Sequence, residues 1–392
     1  MIPTAPRVGG GASFAPGIRL TFLGLTALIA FLAVGIPAVW LLPAARSHVV
    51  LALGLLPLMM GAMIYFTQPL TRSAPPPPWV WLIPLLALVA GGLAAFSVAL
   101  DQRGVMIAAP LAQLAALLLL GWMQGRARNA LGGVHPGLRW YQGALIFLLL
   151  GLSAILAARF FPTHWAPLRS LHLHLNLMGF IGLTAIGTLQ TLLPTAGRYP
   201  DAEAHARLRL DWKYAALGTL ASALGAAGWH AFSFAGLVLW MIPVVRLGRA
   251  VWRHRAPILA AGGAAIALAG AVIGFGVMMI SGVLIVLKVM SPQDSLPLFF
   301  TVFLFPLVTG ALSHLLPLWL RPGPDSAARV LLAQRLGRWS GPRTLLFLTA
   351  GILIAVGQSW AALPGAAGMA LFVIQTLVAI AQDRKPSLSH PA

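Results

Sequence analysis

The chain has 392 residues, of which 59% are hydrophobic and only 8% are charged. Soluble domains carry about 25% charged residues, so this composition excludes an ordinary soluble protein. The formal net charge of +19 comes from basic residues spread over short segments, and we therefore expect no nucleic-acid partner. The absence of cysteine excludes disulfides and thiolate metal sites.

Apolar runs near the roughly 20 residues needed to cross a bilayer recur along the whole chain. The first run is long enough to span and no cleavage site follows it, so we expect no signal peptide. The basic segment 321–343 predicts a short interfacial helix, and the long glycine-rich run 257–287 predicts a tilted or bent one. We predict an all-α polytopic membrane protein with about twelve spans, at roughly 18–42, 47–69, 79–100, 105–124, 138–160, 170–193, 212–229, 230–248, 257–287, 295–319, 343–359 and 362–381.

Predicted spans two, six and ten share a glycine that is followed by a proline. These glycines, Gly61, Gly187 and Gly310, lie 126 and then 123 residues apart. A period near 125 residues predicts one structural unit used three times. We therefore predict a single transmembrane domain over 1–392, built from three four-helix units. The units cover roughly 18–124, 138–248 and 257–381.

Histidines occupy the same place in two of these units. His48 and His174 each precede the repeated glycine by 13 residues, whereas the third unit has Pro297 there. Proline suits the start of a helix but provides no metal ligand. The shared position of the two histidines is the strongest indication of function in the sequence.

The basic residues predict the orientation of the chain in the membrane. If the N-terminus is cytoplasmic, 21 of the 26 Lys and Arg residues fall on the cytoplasmic side. The positive-inside rule then predicts both termini in the cytoplasm and a multi-pass protein of a bacterial-type inner membrane. The same charge favours a lipid bilayer with anionic headgroups as a partner.

This orientation places four histidines at or near the outer ends of their spans: His48, His172, His174 and His230. A single histidine at such a place is often only an amphipathic ring at the headgroup level. The repeat position of His48 and His174, together with His172, favours metal or haem ligation instead. For His230 both interpretations stay open.

Helix geometry limits how these residues cooperate. Residues two apart on a helix point about 200° apart, so His172 and His174 cannot bind one small ion from one unbroken helix. Asn176 lies four residues after His172 and shares its face, where it could orient the imidazole or a bound ligand. Gly179, Gly182 and Gly187 make one side of span six thin, as close approach of either a porphyrin or another helix requires.

The stretches His172-Leu-His174…Gly187…Pro194 and His48…Pro57…Gly61…Pro69 resemble two helices of the haem–copper oxidase catalytic subunit. The chain also resembles the shorter NnrS-like membrane proteins, which are associated with haem, copper and nitric-oxide stress. The resemblance implies that His48 and His174 hold one low-spin b-type haem, whereas His172 matches the histidine that holds the high-spin haem of the oxidases. We predict a b-type haem held by His48 with His174, or failing that with His172.

Two departures from the oxidase pattern limit what the resemblance implies. The His-x-His stretch lies on span six, whereas the oxidases have it on span ten, and the histidines that hold the oxidase copper are absent. Copper and oxidoreductase activity therefore stay open. The resemblance implies electron transfer with a redox partner protein, or handling of nitric oxide, at the outer face.

A membrane transporter is the rival interpretation, because twelve spans with internal repeats are common among secondary transporters. No Asp or Glu lies within a predicted span, with Asp211 and Asp294 only bordering two of them. Proton- or sodium-coupled carriers usually bury a carboxylate. A transporter of haem or copper would need none, since the same histidines could bind the cargo transiently.

Overall fold

The computed structural model describes residues 14–35, 43–100, 102–323 and 326–383. These residues are largely helical and include no strand, which confirms the predicted all-α polytopic fold. A short helix, Arg255–Ala261, precedes α9. The longer helices are α1 Pro16–Gly35, α2 Ala44–Thr71, α3 Pro78–Leu100, α4 Val105–Arg128, α5 Gly137–Phe160, α6 Pro162–Gly197, α7 Ala204–Ala226, α8 Ala231–Arg253, α9 Gly263–Val286, α10 Pro292–Leu320, α11 Ala327–Gly337, α12 Ser340–Ala355 and α13 Ser359–Asp383.

Of the described helices, ten are long and apolar enough to cross a membrane. The other two predicted spans also form helices, α7 for 212–229 and α12 for 343–359. Neither is both long enough and apolar enough to count among the ten. The 16 residues of α12 reach only about 24 Å against a hydrocarbon core of about 30 Å. The polar stretch at the start of α7, which includes Asp211, makes that helix too polar. The end of the first predicted span, 36–42, lies outside the described residues.

Three local features of the structure can be compared with the predicted segments. The turn between α7 and α8 occupies only a few residues around Gly228, whose φ of +127° suits glycine. The run 257–287 is interrupted at Gly262 and Gly263, which both have positive φ. The basic segment after α10 contains the short helix α11, where the N–H of Arg329 donates to the hydroxyl oxygen of Ser326.

Helices α2, α6 and α10 share an unusual local geometry. Each contains a π-helical segment, in which backbone hydrogen bonds join residues five apart. The segments are Val49–Leu55, Leu175–Gly182 and Phe299–Leu304. His48 and His174 directly precede the first two segments. The three helices therefore repeat in backbone geometry as well as in sequence.

The repeated glycine has the same packing role in every unit. A Cβ atom on Gly61 would lie 2.8 Å from a methyl carbon of Leu23 in α1. One on Gly187 would lie 2.6 Å from Cβ of Trp140 in α5. One on Gly310 meets the backbone of α9 at 3.0 Å. Only glycine allows the first and second helices of each unit to approach so closely.

Helices α2, α6 and α10, which we call the inner helices, also join the three units in a closed ring of contacts. Each packs against the helices before and after it in its own unit: α2 on α1 and α3, α6 on α5 and α7, and α10 on α9 and α12. Each also contacts the next unit, α2 on α5, α6 on α9, and α10 on α1. A threefold rotation relating the units stays a prediction.

The bundle has two distinct ends. We call the end where α2, α6 and α10 begin the histidine face, and the opposite end, where these helices finish, the basic face. Contacts within the basic face join distant segments: Arg253 pairs with Glu203 at 2.6 Å, and Arg321 pairs with Asp383 at 3.0 Å. Which face is cytoplasmic stays a prediction from the charge distribution.

The outer surface suits a lipid environment. Large apolar side chains are exposed around the outer helices, as expected where lipid rather than water surrounds the protein. They include Ile18, Phe96, Ile107, Leu117, Leu150, Leu217, Val238, Ile273, Leu345 and Leu371.

Candidate histidine site

Two imidazoles, one from α2 and one from α6, meet at the histidine face. The ring centres of His48 and His172 lie 6.4 Å apart, and the ring planes are within 9° of parallel. His48 ends the helical turn Pro43–His48, and His172 lies in the α-helical first part of α6. The pair therefore depends on packing between the first and second units.

Each ring of this pair is fixed through its Nδ1 atom. Nδ1 of His48 lies 2.7 Å from the carbonyl oxygen of Ala44, one turn earlier in α2. Nδ1 of His172 lies 3.0 Å from the carbonyl oxygen of Gly151 in α5. A carbonyl oxygen only accepts, so Nδ1 carries the hydrogen in both rings and Nε2 keeps its lone pair. Metal-binding histidines commonly have this arrangement.

Asn176 holds the peptide group of His172 from one turn further along α6. Its Nδ2 donates to the carbonyl oxygen of His172 at 2.6 Å and lies 3.2 Å from Nδ1 of the same residue. If Nδ1 accepted from Asn176, its lone pair would face the lone pairs of the Gly151 oxygen at 3.0 Å. That repulsion favours the tautomer with hydrogen on Nδ1. Asn176 thus holds the peptide group of His172, and its role toward the imidazole or a bound ligand stays a prediction.

Gly151 in α5 is a further part of the site. Its carbonyl oxygen accepts from His172, and a Cβ atom on it would lie 2.6 Å from Nδ2 of Asn176. A glycine is therefore needed where α5 passes the histidine. Nothing in the sequence distinguishes this glycine from the many others, and the sequence-based interpretation did not include it.

His174 and His230 occupy separate surroundings. Nδ1 of His174 lies 2.9 Å from the carbonyl oxygen of Ser170 in its own helix, which also leaves Nε2 as the available atom. His230 is exposed at the start of α8. Among the described residues, no aromatic ring contact joins either of them to His48. Of the two pairings expected for His48, the structure shows the contact with His172.

Neighbouring helices pack against the side of α6 that carries Gly179, Gly182 and Gly187. A Cβ atom on Gly179 would lie 2.5 Å from Cβ of Phe147 in α5, and one on Gly182 would lie 3.5 Å from the ring of Phe275 in α9. With Gly187 against α5, all three glycines serve helix packing. Of the two interpretations left open from the sequence, close helix approach accounts for them.

The carboxylate of Asp211 is more buried in the protein than its position at the edge of a predicted span indicates. Asp211 is the eighth residue of α7, is 1% exposed, and pairs with Arg246 of α8 at 2.6 Å. The helix starts at Ala204, earlier than predicted, because its polar first turns extend beyond the apolar run. This carboxylate is held by a cation of the neighbouring helix.

The described residues contain no group of three or more His, Cys, Asp or Glu side chains that could hold a metal ion. In the described part of the chain, the His48–His172 pair therefore has no third such side chain beside it. No model of a known protein family matches this sequence, and a search of curated proteins finds no significant match.

Proposed function

We propose that the chain is a membrane haem protein in which His48 and His172 are the two axial ligands of one b-type haem. The proposal rests on the distance and angle between the two imidazoles. The resemblance of these helices to those of the haem–copper oxidase catalytic subunit, and of the chain to the NnrS-like proteins, supports haem binding but pairs His48 with His174. The redox role it implies is electron transfer at the histidine face.

The ring separation suits two ligands of a single ion. A metal–imidazole bond is about 2.0–2.1 Å long and the nitrogen lies about 1.1 Å from the ring centre, so opposed ligands have ring centres about 6 Å apart. The separation of 6.4 Å between His48 and His172 fits this value. A porphyrin supplies the other four nitrogen ligands, so a site with two protein ligands suffices.

The hydrogen bonds of the pair suit the same role. Both Nδ1 atoms are held by carbonyl oxygens, so both Nε2 lone pairs are available without the release of a proton. The carbonyl oxygen of Gly151 holds the ring of His172 from α5, and Asn176 holds the peptide group of His172 within α6. A haem bound there would supply a one-electron redox couple.

Electron transfer is the function that this geometry supports best. If His48 and His172 both held the haem, a gas such as nitric oxide would have to displace one of them. Nitric-oxide handling therefore predicts a spectral shift on addition of the gas, whereas electron transfer predicts a spectrum that changes only with oxidation state.

The experiment is an absorption spectrum of the detergent-solubilised protein, oxidised and reduced, after expression with ample haem, together with metal analysis. We expect a Soret band with the sharp reduced bands of a low-spin haem. His48→Ala and His172→Ala should each remove the low-spin bands. His164→Ala is the matched control, because this histidine is exposed and its ring lies beside the hydroxyl of Thr163 in the loop before α6 rather than beside His48 or His172.

Three outcomes would contradict the proposal. Protein without a Soret band despite ample haem would exclude the cofactor. Loss of the low-spin bands in His174→Ala but not in His172→Ala would show that the pairing is wrong. Unchanged spectra in all variants would show that these histidines are structural.

Transport of haem or copper is the second candidate, because a site with only two protein ligands could release its cargo readily. The pairing of Asp211 with Arg246 leaves that buried carboxylate already neutralised, which disfavours proton or sodium coupling through it. This candidate predicts altered accumulation of haem or copper in cells that lack the protein. It also predicts that the purified protein carries less than one cofactor.

A further inference from the structure

A groove of about 800 Å³ runs along α4 near the basic face, away from the histidine pair. The linker after α2 and the start of α3 form its other side. One end is lined by Arg72, Arg126 and Asn129, and the rest by apolar or small residues. We propose that this groove binds one acidic glycerophospholipid, with its phosphate at the arginines and an acyl chain along α4.

The polar end of the groove has arginine N–H donors that are not paired with an acidic side chain of the described residues. Arg126 donates to the carbonyl oxygens of Ala74 at 2.9 Å and Pro75 at 3.2 Å, which fixes its guanidinium beside the linker. Two of its five N–H groups are thus used, and three are left. The ion pairs of the described residues all involve arginines other than Arg72 and Arg126. The charge at this end is complementary to a phosphate group.

The apolar part of the groove exists because α4 lacks side chains there. Gly121 and Gly125 lie one turn apart, and a Cβ atom on either would have no atom within 4 Å. Leu117, one turn further from the basic face, is 54% exposed. Leu117 and Arg126 are nine residues apart, or about 14 Å along the helix axis, close to half of a hydrocarbon core of about 30 Å.

These dimensions favour a lipid over a soluble anion. A free phosphate would use only the arginine end and leave the apolar length of the groove facing the membrane. Trp79, which is 51% exposed beside the arginines, is a residue type that prefers the boundary between headgroups and acyl chains. Basic residues at such a boundary attract anionic lipids.

The test is native mass spectrometry of the full chain in detergent, with phosphatidylglycerol or phosphatidylcholine added at matched concentrations. We expect one phosphatidylglycerol to be retained in preference to phosphatidylcholine. Each arginine near anionic lipid contributes about 1 kcal/mol, or about a fivefold change in affinity. Arg72→Gln should therefore weaken retention about fivefold, and Arg72→Gln with Arg126→Gln about 25-fold.

A second variant fills the groove without removing charge. Gly121→Phe places a ring in open space and should abolish the preferential retention while leaving the fold intact. Matched controls are Arg139→Gln, an exposed arginine at the start of α5, and Gly248→Phe, another glycine with open space, on α8. Both should retain phosphatidylglycerol as the wild type does.

Several outcomes would overturn this assignment. Equal retention of the two lipids would show that no headgroup is selected. Equal losses in the groove variants and the controls would show a general effect of charge or bulk. Displacement of the lipid by an excess of glycerol phosphate would identify a site for a soluble anion. Thermal unfolding of each variant identifies any loss that results from misfolding.

Discussion

Replacing Gly151 by alanine tests how closely α5 holds the candidate site together. The new methyl group would lie 2.6 Å from Nδ2 of Asn176, and the three nearest atoms all belong to the amide group of that side chain. The amide must move by roughly 0.8 Å to regain ordinary contact, which breaks its short hydrogen bond to the carbonyl oxygen of His172. Overpacking of this kind costs about 1–3 kcal/mol.

The same substitution also has a favourable component. Alanine is a better helix former than glycine by roughly 0.5–1 kcal/mol. We therefore expect Gly151→Ala to lower the free energy of unfolding by about 1–2 kcal/mol. In an Asn176→Ala background the clash is absent, so Gly151→Ala should raise stability by about 0.5–1 kcal/mol. The sign of the effect reverses between backgrounds, which is a coupling of about 2 kcal/mol.

The assay is unfolding in detergent followed by circular dichroism, for the wild type, both single variants and the double variant. Gly121→Ala is the control, since its methyl group would enter open space. It should stabilise the protein by the helix-forming component alone, whether or not Asn176 is present. Equal destabilisation by Gly151→Ala in both backgrounds would refute the contact between α5 and Asn176.

The remaining predictions concern charged groups outside this contact. Arg246→Ala should cost about 3 kcal/mol and Asp211→Ala only about 1, because the first leaves a buried carboxylate unpaired whereas the second leaves a guanidinium that is 41% exposed. Equal costs in thermal unfolding would refute this difference. Arg198→Gly should stabilise the protein by about 1 kcal/mol, since Arg198 ends α6 with a φ of +55°. A loss of stability would show that its side chain matters more than this strain. Burial, and then the charge of His205, lowers the pKa of His135 below its usual 6.5. The unfolded chain then binds more protons below about pH 6.5, so stability should fall as the pH drops through that value, and His135→Gln should flatten this dependence. An unchanged profile would contradict it.

The elements most accessible from the sequence are those marked by long apolar runs or by residues repeated at a fixed spacing. The spacing of Gly61, Gly187 and Gly310 identified the three inner helices, and the structure explains the spacing through contact with the preceding helix in each unit. Hydropathy located the helices because lipid exposure requires long apolar runs. It gave less accurate ends where polar residues continue a helix beyond the membrane, as at Asp211 in α7.

The details of the candidate site depend on contacts between units, and the sequence contains little signal for these. The predicted set of His48, His172, His174, Asn176 and His230 included both members of the observed pair. The role of Gly151 depends on how α5 crosses α6, and that angle is set by many side chains together. The π-helical segments were also missed, because a single additional residue in a turn leaves the apolar pattern almost unchanged.

The π-helical segments of α2 and α6 have a consequence for how this chain tolerates deletions. One residue removed from Val49–Leu55 would restore ordinary α-helical hydrogen bonding and leave the apolar run nearly as long as before. A π-helical turn holds more residues than an α-helical turn, so the additional residue is absorbed inside the segment and the parts of α2 on either side keep nearly the same relative orientation after the deletion. His48 should therefore still face His172. A deletion between Leu56 and Gly61, in the regular part of α2, has no such turn to absorb it and would rotate His48 by about 100° relative to the rest of the helix. Changes of length should therefore be tolerated within Val49–Leu55 and not in the α-helical residues that follow it.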